Sequence, residues 1–231
     1  VPMGADGQVF DRLSLAGATM LNGYLITAVS MCDVHHVSDA HLTPAVIPPA
    51  LAVAEQRKAG GCDLLVALVA GFETLARIGL GIDYKEFVGR GWNSSGVIGP
   101  FGAAASAGRL MGLSPEQMAF AFSIAGSQGA GTRLAKGTPT IKFHQCRSAL
   151  SGLLAAMLAE QGFVAPRDFL DNPQGGLFPL YCGDARKALA TEKLGESSAM
   201  GEVGLRLWPC PSSTLGVVTA LFTLIDQGLE F

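Results

Sequence analysis

The sequence predicts a mainly α-helical chain that ends in the first strand and helix of a small α/β unit. Three observations predict it. Glycine- and alanine-rich apolar stretches recur between helix start and stop signals through residues 1–195. After about Glu196 the character changes, and Glu202–Trp208 alternates apolar and polar with period two, as a half-buried strand does. Apolar residues fill 49% of the 231 positions and charged ones only 15%, against the usual quarter or so, so most faces of these helices have to be covered.

The elements follow in order. Asp11–Ser30 reads as a helix holding Gly17 and Gly23, and Asp33–Leu42 as a polar loop. Thr43 is placed to cap the next helix, with Pro44 at its first position, where a missing N–H costs nothing. That helix runs to about Lys58 and stops at Gly60-Gly61; Asp63 is placed to cap a very apolar helix closing at Gly81. Tyr84–Arg90 reads as a charged surface connection, and Gly91–Gly99 as a glycine-punctuated loop feeding a helix from near Pro100 to Gly112. Ser114-Pro115-Glu116-Gln117 combines a serine cap, a proline at the first turn and a glutamine able to close a capping box, so a helix runs from there to about Ser127.

Gly129–Thr140 is a loop, Phe143–Gln161 a helix, and residues 163–185 are mostly irregular. After the predicted strand, Pro209–Ser213 turns and Thr214–Gln227 forms a helix. That strand has no partner in sight, and one strand with one helix is not a stable domain. Residues 196–231 are therefore expected to open a second, α/β domain after a helical domain over 1–195.

Composition excludes several classes. High hydrophobicity with low charge excludes intrinsic disorder, and the 30 glycines show no period of three, which excludes collagen. A formal charge of −3 offers no basic face for nucleic acid. No apolar run approaches the roughly 18–20 residues of a membrane span, Leu64–Phe72 being among the longest, and no signal-peptide pattern opens the chain. Five scattered cysteines without a CxxC point to a reducing, cytoplasmic setting in which thiols act as small buried hydrophobes. So much apolar surface calls for a large oligomeric interface, expected as a homodimer, or for a larger body from which the chain is cut.

Three clusters could carry chemistry. His35, His36 and His41 fall within seven residues, interleaved with Asp33 and Asp39. The loop suits proton transfer, with a carboxylate fixing the histidine tautomer, but it is also readable as a polar surface loop or a His/Asp metal site; no HExxH or Cys–His spacing supports metal. Lys142, His144 and Arg147 open a helix and form a carboxylate-binding corner, or else a solvated helix start. Asn93 and Ser94, in a glycine-rich segment ahead of a helix, offer hydrogen bonds to an anion, or simply permit close packing. GxGxxG, Walker A and GxSxG patterns are absent, against a Rossmann site, a P-loop and covalent hydrolase chemistry.

Taken together and in order, DVHHVSDAHLTPAVIPPALAVAE, GFETLARIG, GWNSSGVIGPFGAAASAGRLMGLSPEQMAFAFSIAGSQGAG, TPTIKFHQCRSALSGLLAAMLAEQGF and LRLWPCPSSTLGVVTAL resemble the MmgE/PrpD family. The resemblance implies a longer protein with an all-helical domain, a smaller α/β lid and an active site between them, with this chain as its middle part. It implies a lyase acting without metal or other cofactor on a small di- or tricarboxylic acid, by proton abstraction next to a carboxylate. A hydro-lyase resembling 2-methylcitrate dehydratase is expected, with an epimerase of the iminodisuccinate type or an inactive structural member as alternatives.

By position, His41 matches the family's histidine in a His-Pro-Ser segment and Lys142 the lysine before the late helix. His41 is thus expected to transfer the proton, with Asp33 and His35 orienting it and Lys142 binding carboxylate alongside Asn93, Ser94, His144 and Arg147. Met31 stands where the family has an aspartate, and Asn93 where many relatives have histidine. His35 or His36 is the expected substitute for the lost groups.

Overall fold

The computed structural model describes residues 13–183 and 186–228. Asp11 and Arg12, the expected start of the first helix, lie outside that range. Among the described residues the chain forms nine α-helices and one two-stranded sheet. In order they are α1 (Leu15–Ala28), β1 (Val34–His35), α2 (Thr43–Arg57), α3 (Gly61–Gly81), α4 (Tyr84–Gly89), α5 (Ser94–Met111) and α6 (Pro115–Ser127). Then come α7 (Thr140–Glu160), α8 (Leu177–Tyr181), β2 (Val203–Gly204) and α9 (Leu215–Asp226).

α5 is the hub. Every residue from Ser94 to Gly108 is buried, because α2, α3, α6 and α7 all pack on it. Its small side chains make this possible: a helix ringed by helices has no polar face to spare, and glycine or alanine lets backbones approach closely. Gly152 of α7 lies where an added Cβ would sit 2.3 Å from both the Ala103 Cβ and the Pro100 carbonyl oxygen. Gly71 of α3 lies in the same way against Val46 and the Gly102 carbonyl. Gly152→Ala is accordingly expected to destabilise the fold by about 2 kcal/mol through overpacking, although alanine is the better helix former. A chemical-denaturation midpoint equal to or above the parent's would contradict this packing argument.

The capping box at Ser114 forms as expected, with the serine hydroxyl 3.2 Å from the Gln117 N–H and the Gln117 side chain accepting the Ser114 N–H at 3.0 Å. Several boundaries differ from the sequence reading. Tyr84–Gly89 is a helix capped by Asp83, not a connection. α5 starts six residues before Pro100, because Asn93 supplies a side-chain cap to Gly96. Gly60, not Asp63, is the N-cap of α3, and Asp63 sits in its first turn beside the positive end of the helix dipole. α3 is also long and apolar enough to cross a bilayer by length and composition, which the short apolar runs did not suggest. Here it packs against α2 and α5, and its buried Arg77 pairs with Glu73 and bonds to the carbonyls of Glu192, Lys193 and Ser197.

The expected seven-residue strand is only two residues long, and it does have a partner. β2 pairs antiparallel with β1, Val34 opposite Gly204 and His35 opposite Val203. Two residues inside a polar loop show no periodicity, which is why β1 is invisible in sequence. The consequence is positional: this ladder brings the segment after β2 back to the histidine loop.

Candidate active site

The loop between α1 and α2 is built around Asp33. Its buried carboxylate accepts the Leu42 and Thr43 N–H groups, each at 2.9 Å, and the Thr43 hydroxyl at 2.5 Å. The start of α2 is thus capped from ten residues upstream, and Thr43, expected to be the cap, is the first helical residue. Asp33 does act on His41, but through its main chain: the Asp33 carbonyl lies 2.5 Å from His41 Nδ1. A carbonyl only accepts, so Nδ1 carries a proton and Nε2 is the nitrogen free to exchange one. The His41 N–H donates to Ser95 Oγ at 2.9 Å, tying the loop to the first turn of α5.

Around His41 gather groups that are far apart in sequence. Arg206, two residues past β2, brings a guanidinium nitrogen to 3.5 Å from His41 Nε2. It also donates to the Ser30 carbonyl at 3.1 Å and to Ser212 Oγ at 3.0 Å. Lys142, in the first turn of α7, donates from Nζ to the Ser30 hydroxyl at 2.7 Å. Ser30 therefore holds both cations at once, in a left-handed conformation with φ of 58°. The Cys32 thiol lies 3.6 Å from His41 Nδ1 and is buried.

A cavity of about 420 Å³ opens in front of this cluster, lined by His41, Asn93, Ser94, Arg133, Lys136 and Arg206 among others. Burial penalises the charged His41 ring, but the Cys32 thiol and the Asp33 carbonyl outweigh it and raise its pKa. Burial would raise the Cys32 thiol, yet His41 and then Arg206 draw it below the ordinary thiol range. Lys142 is lowered, first by burial and also by the Arg206 charge, with Cys32 opposing. A histidine facing a small cavity with cations beside it can pass a proton to or from an anion held there.

Of the residues singled out from sequence, His41, Asn93 and Ser94 line the cavity; Lys142 is not in the lining but interacts electrostatically with Cys32 and with the lining Arg206. Asn93 and Ser94 are the cap and first residue of α5, so that helix presents its N-terminus to the space. Asp33 caps α2, and His35, Arg147 and His144 are placed elsewhere. His35 is fully buried, bonds Ser38 Oγ through Nδ1 at 2.8 Å and packs over Gly79; burial lowers its pKa. It is a neutral core histidine, not an orienter of His41. Arg147 spends its guanidinium on the carbonyls of Gln128, Gly96 and Ala130, holding the loop after α6 to α5. His144 lies against Gly131 away from the lining, its pKa lowered by burial and by Arg147. His36 does line the cavity, its ring against Gly204.

Arg206, Cys32, Arg133 and Lys136 were missed as site residues. Arg206 is one of two charged positions, with Glu202, in the predicted strand, and Cys32 reads from sequence as one more buried hydrophobe.

The family model for the MmgE/PrpD N-terminal domain matches residues 6–189. A cis-aconitate decarboxylase-like protein of Aspergillus oryzae is 33% identical over 224 residues, covering 91% of this chain and 46% of the relative. A cis-aconitate decarboxylase of Aspergillus terreus is 30% identical, covering 92% and 46%, and that of Homo sapiens is 30% identical, covering 79% and 38%. The chain thus spans less than half the length of these curated relatives. With most of its length matched by the family model and a relative above 30% identity, the chain belongs to the MmgE/PrpD family.

Proposed function

We propose that the protein is a lyase for a small polycarboxylic acid, and that it removes CO₂ from an unsaturated tricarboxylate such as cis-aconitate. The observation that carries the reading is the cavity lining, where His36 and His41 share the space with three cations, Arg133, Lys136 and Arg206, drawn from two distant stretches, against the one carboxylate of Asp39. Lys142, held at Ser30 next to Arg206, adds its charge to the same end. Such a space suits two or three carboxylates, and the named relatives favour loss of CO₂ over the loss of water expected from sequence.

In this reading the cations and the α5 N-terminus hold the carboxylates that remain. The bond to the departing carboxylate breaks, its electron pair stays on carbon and spreads into the adjoining unsaturated system, and His41 Nε2 delivers the proton that quenches it. The raised pKa of His41 supports this role, since the ring has to be charged at the moment of delivery. The homodimer and cytoplasmic location expected from composition remain part of the proposal.

The test is turnover of cis-aconitate by the full-length protein in deuterated water. Release of CO₂ with one deuterium in the product supports decarboxylation. Water loss from a hydroxy acid instead points to a dehydratase, deuterium uptake without net loss points to an epimerase, and no reaction with any of these acids points to the inactive alternative. Arg206→Ala should raise KM for the acid roughly 10–100-fold, the worth of a hydrogen bond between charged partners. An unchanged KM would remove Arg206 from the binding set.

A further inference from the structure

We propose that Cys32, as a thiolate, is the anionic partner of His41 and does here what a carboxylate does in a histidine–carboxylate pair. The inference rests on the reading of His41 as the proton-transfer group. It starts from a gap in the site: of the two carboxylates near His41 in sequence, Asp33 has turned both oxygens to Leu42 and Thr43 and offers the ring a carbonyl instead, and Asp39 accepts the Tyr84 hydroxyl.

The one other side chain bonded to Nδ1 is the Cys32 thiol, at 3.6 Å, inside the distance of a sulfur hydrogen bond. Its surroundings favour a negative charge. The ring of His41 approaches from the loop itself, Arg206 from the segment after β2, and Lys142 from α7, all three interacting electrostatically with the sulfur. Among the described residues, the opposing charge is that of Asp33. A buried thiol facing an arginine, a lysine and an imidazole is in the setting that favours thiolate. Cys32 is thus a positioning residue. It touches the ring, not the substrate: its side chain is absent from the cavity lining.

The geometry divides the work on the ring. Nδ1 is shared between the Asp33 carbonyl and the Cys32 sulfur, and Nε2 points to Arg206 and the cavity. When Nε2 holds a proton, the thiolate offsets the charge of the imidazolium; when the proton leaves, the neutral ring still donates from Nδ1. Arg206, which would otherwise push a proton off the ring, is balanced by the sulfur. The thiol and imidazole therefore titrate as a pair, not as two sites.

The experiment is nuclear magnetic resonance of the chain labelled at histidine ring nitrogens and cysteine Cβ carbons, followed against pH, with His41→Gln to assign the ring. In the parent, one of the five cysteine signals should titrate below the ordinary thiol range and in step with His41. In Cys32→Ser the His41 midpoint should fall by about one unit, a tenfold loss of imidazolium above it. The other three histidines should be unmoved, which a general loss of structure would not allow.

In the full-length protein, Cys32→Ser should move the alkaline limb of kcat down by the same amount and leave KM unchanged, while Cys32→Asp, which restores an anion, should recover part of it. A His41 midpoint identical in parent and Cys32→Ser overturns the proposal. If the serine variant does not fold, the parent decides alone: a Cys32 signal that stays thiol through the His41 titration overturns it too. The resonance measurements need no substrate, so their failure leaves the decarboxylase reading standing, and failure of turnover leaves the pair standing.

Discussion

Replacing His41 by alanine is expected to lower kcat for the tricarboxylate by about 100- to 10,000-fold, the range seen when a positioned acid or base is lost, with KM changed little. The reason is in its neighbours. His41 is the histidine that lines the cavity while held from behind, by the Asp33 carbonyl at Nδ1 and by Ser95 at its own N–H. His36 lines the same space without such a hold on its ring, so it is not placed to take over. Steady-state kinetics on the full-length variant, with circular dichroism to show an intact fold, checks the prediction. A kcat within threefold of the parent would move proton transfer to another residue.

Asp33→Ala is expected to destabilise the protein by about 3 kcal/mol, beyond an ordinary helix cap, because the acceptor is charged and buried. Removing it strands the buried Leu42 N–H and the Thr43 N–H and hydroxyl at the start of α2. Asp33→Asn should recover only part of the loss, since an amide has one acceptor oxygen where the carboxylate uses two. Denaturant unfolding of the three proteins provides the comparison. An alanine variant within 1 kcal/mol of the parent (roughly the size of a single neutral hydrogen bond) would mean the loop is held by something else. Catalysis should suffer in the same variants, because the carbonyl that orients His41 belongs to the same residue.

These cases show what a sequence displays and what it hides. Helices announced by local chemistry were legible: the Ser114 box, the glycine stops and the apolar runs of α3 and α7 each carry their signal within a few residues. His41 was legible as well, since histidines crowd one loop in a chain otherwise poor in charge. Roles set by distant partners were not. Asp33 looks like a proton-relay carboxylate until the start of α2 is seen to lack any side-chain cap of its own. His35 and His36 are adjacent and chemically identical, yet β1 sends one into the core against Gly79 and leaves the other on the cavity. Arg147 looks free for an anion until three carbonyls from α5 and the loop after α6 close around it. Arg206 reaches His41 across 165 positions, and no spacing rule spans that distance.

The double grip of Ser30 on Lys142 and Arg206 has a consequence for the order of events during synthesis. A ribosome delivers residues from the amino end, so the imidazole, its sulfur neighbour and the lysine emerge well before the arginine that completes the ring of charges. Until Arg206 is released and the short ladder before it closes on Val34 and His35, the nascent chain has His41 and Lys142 without the second cation held at Ser30. The Ser30 grip therefore closes only after residue 206 has been made, and contacts this remote in sequence are the slow ones for any chain to make.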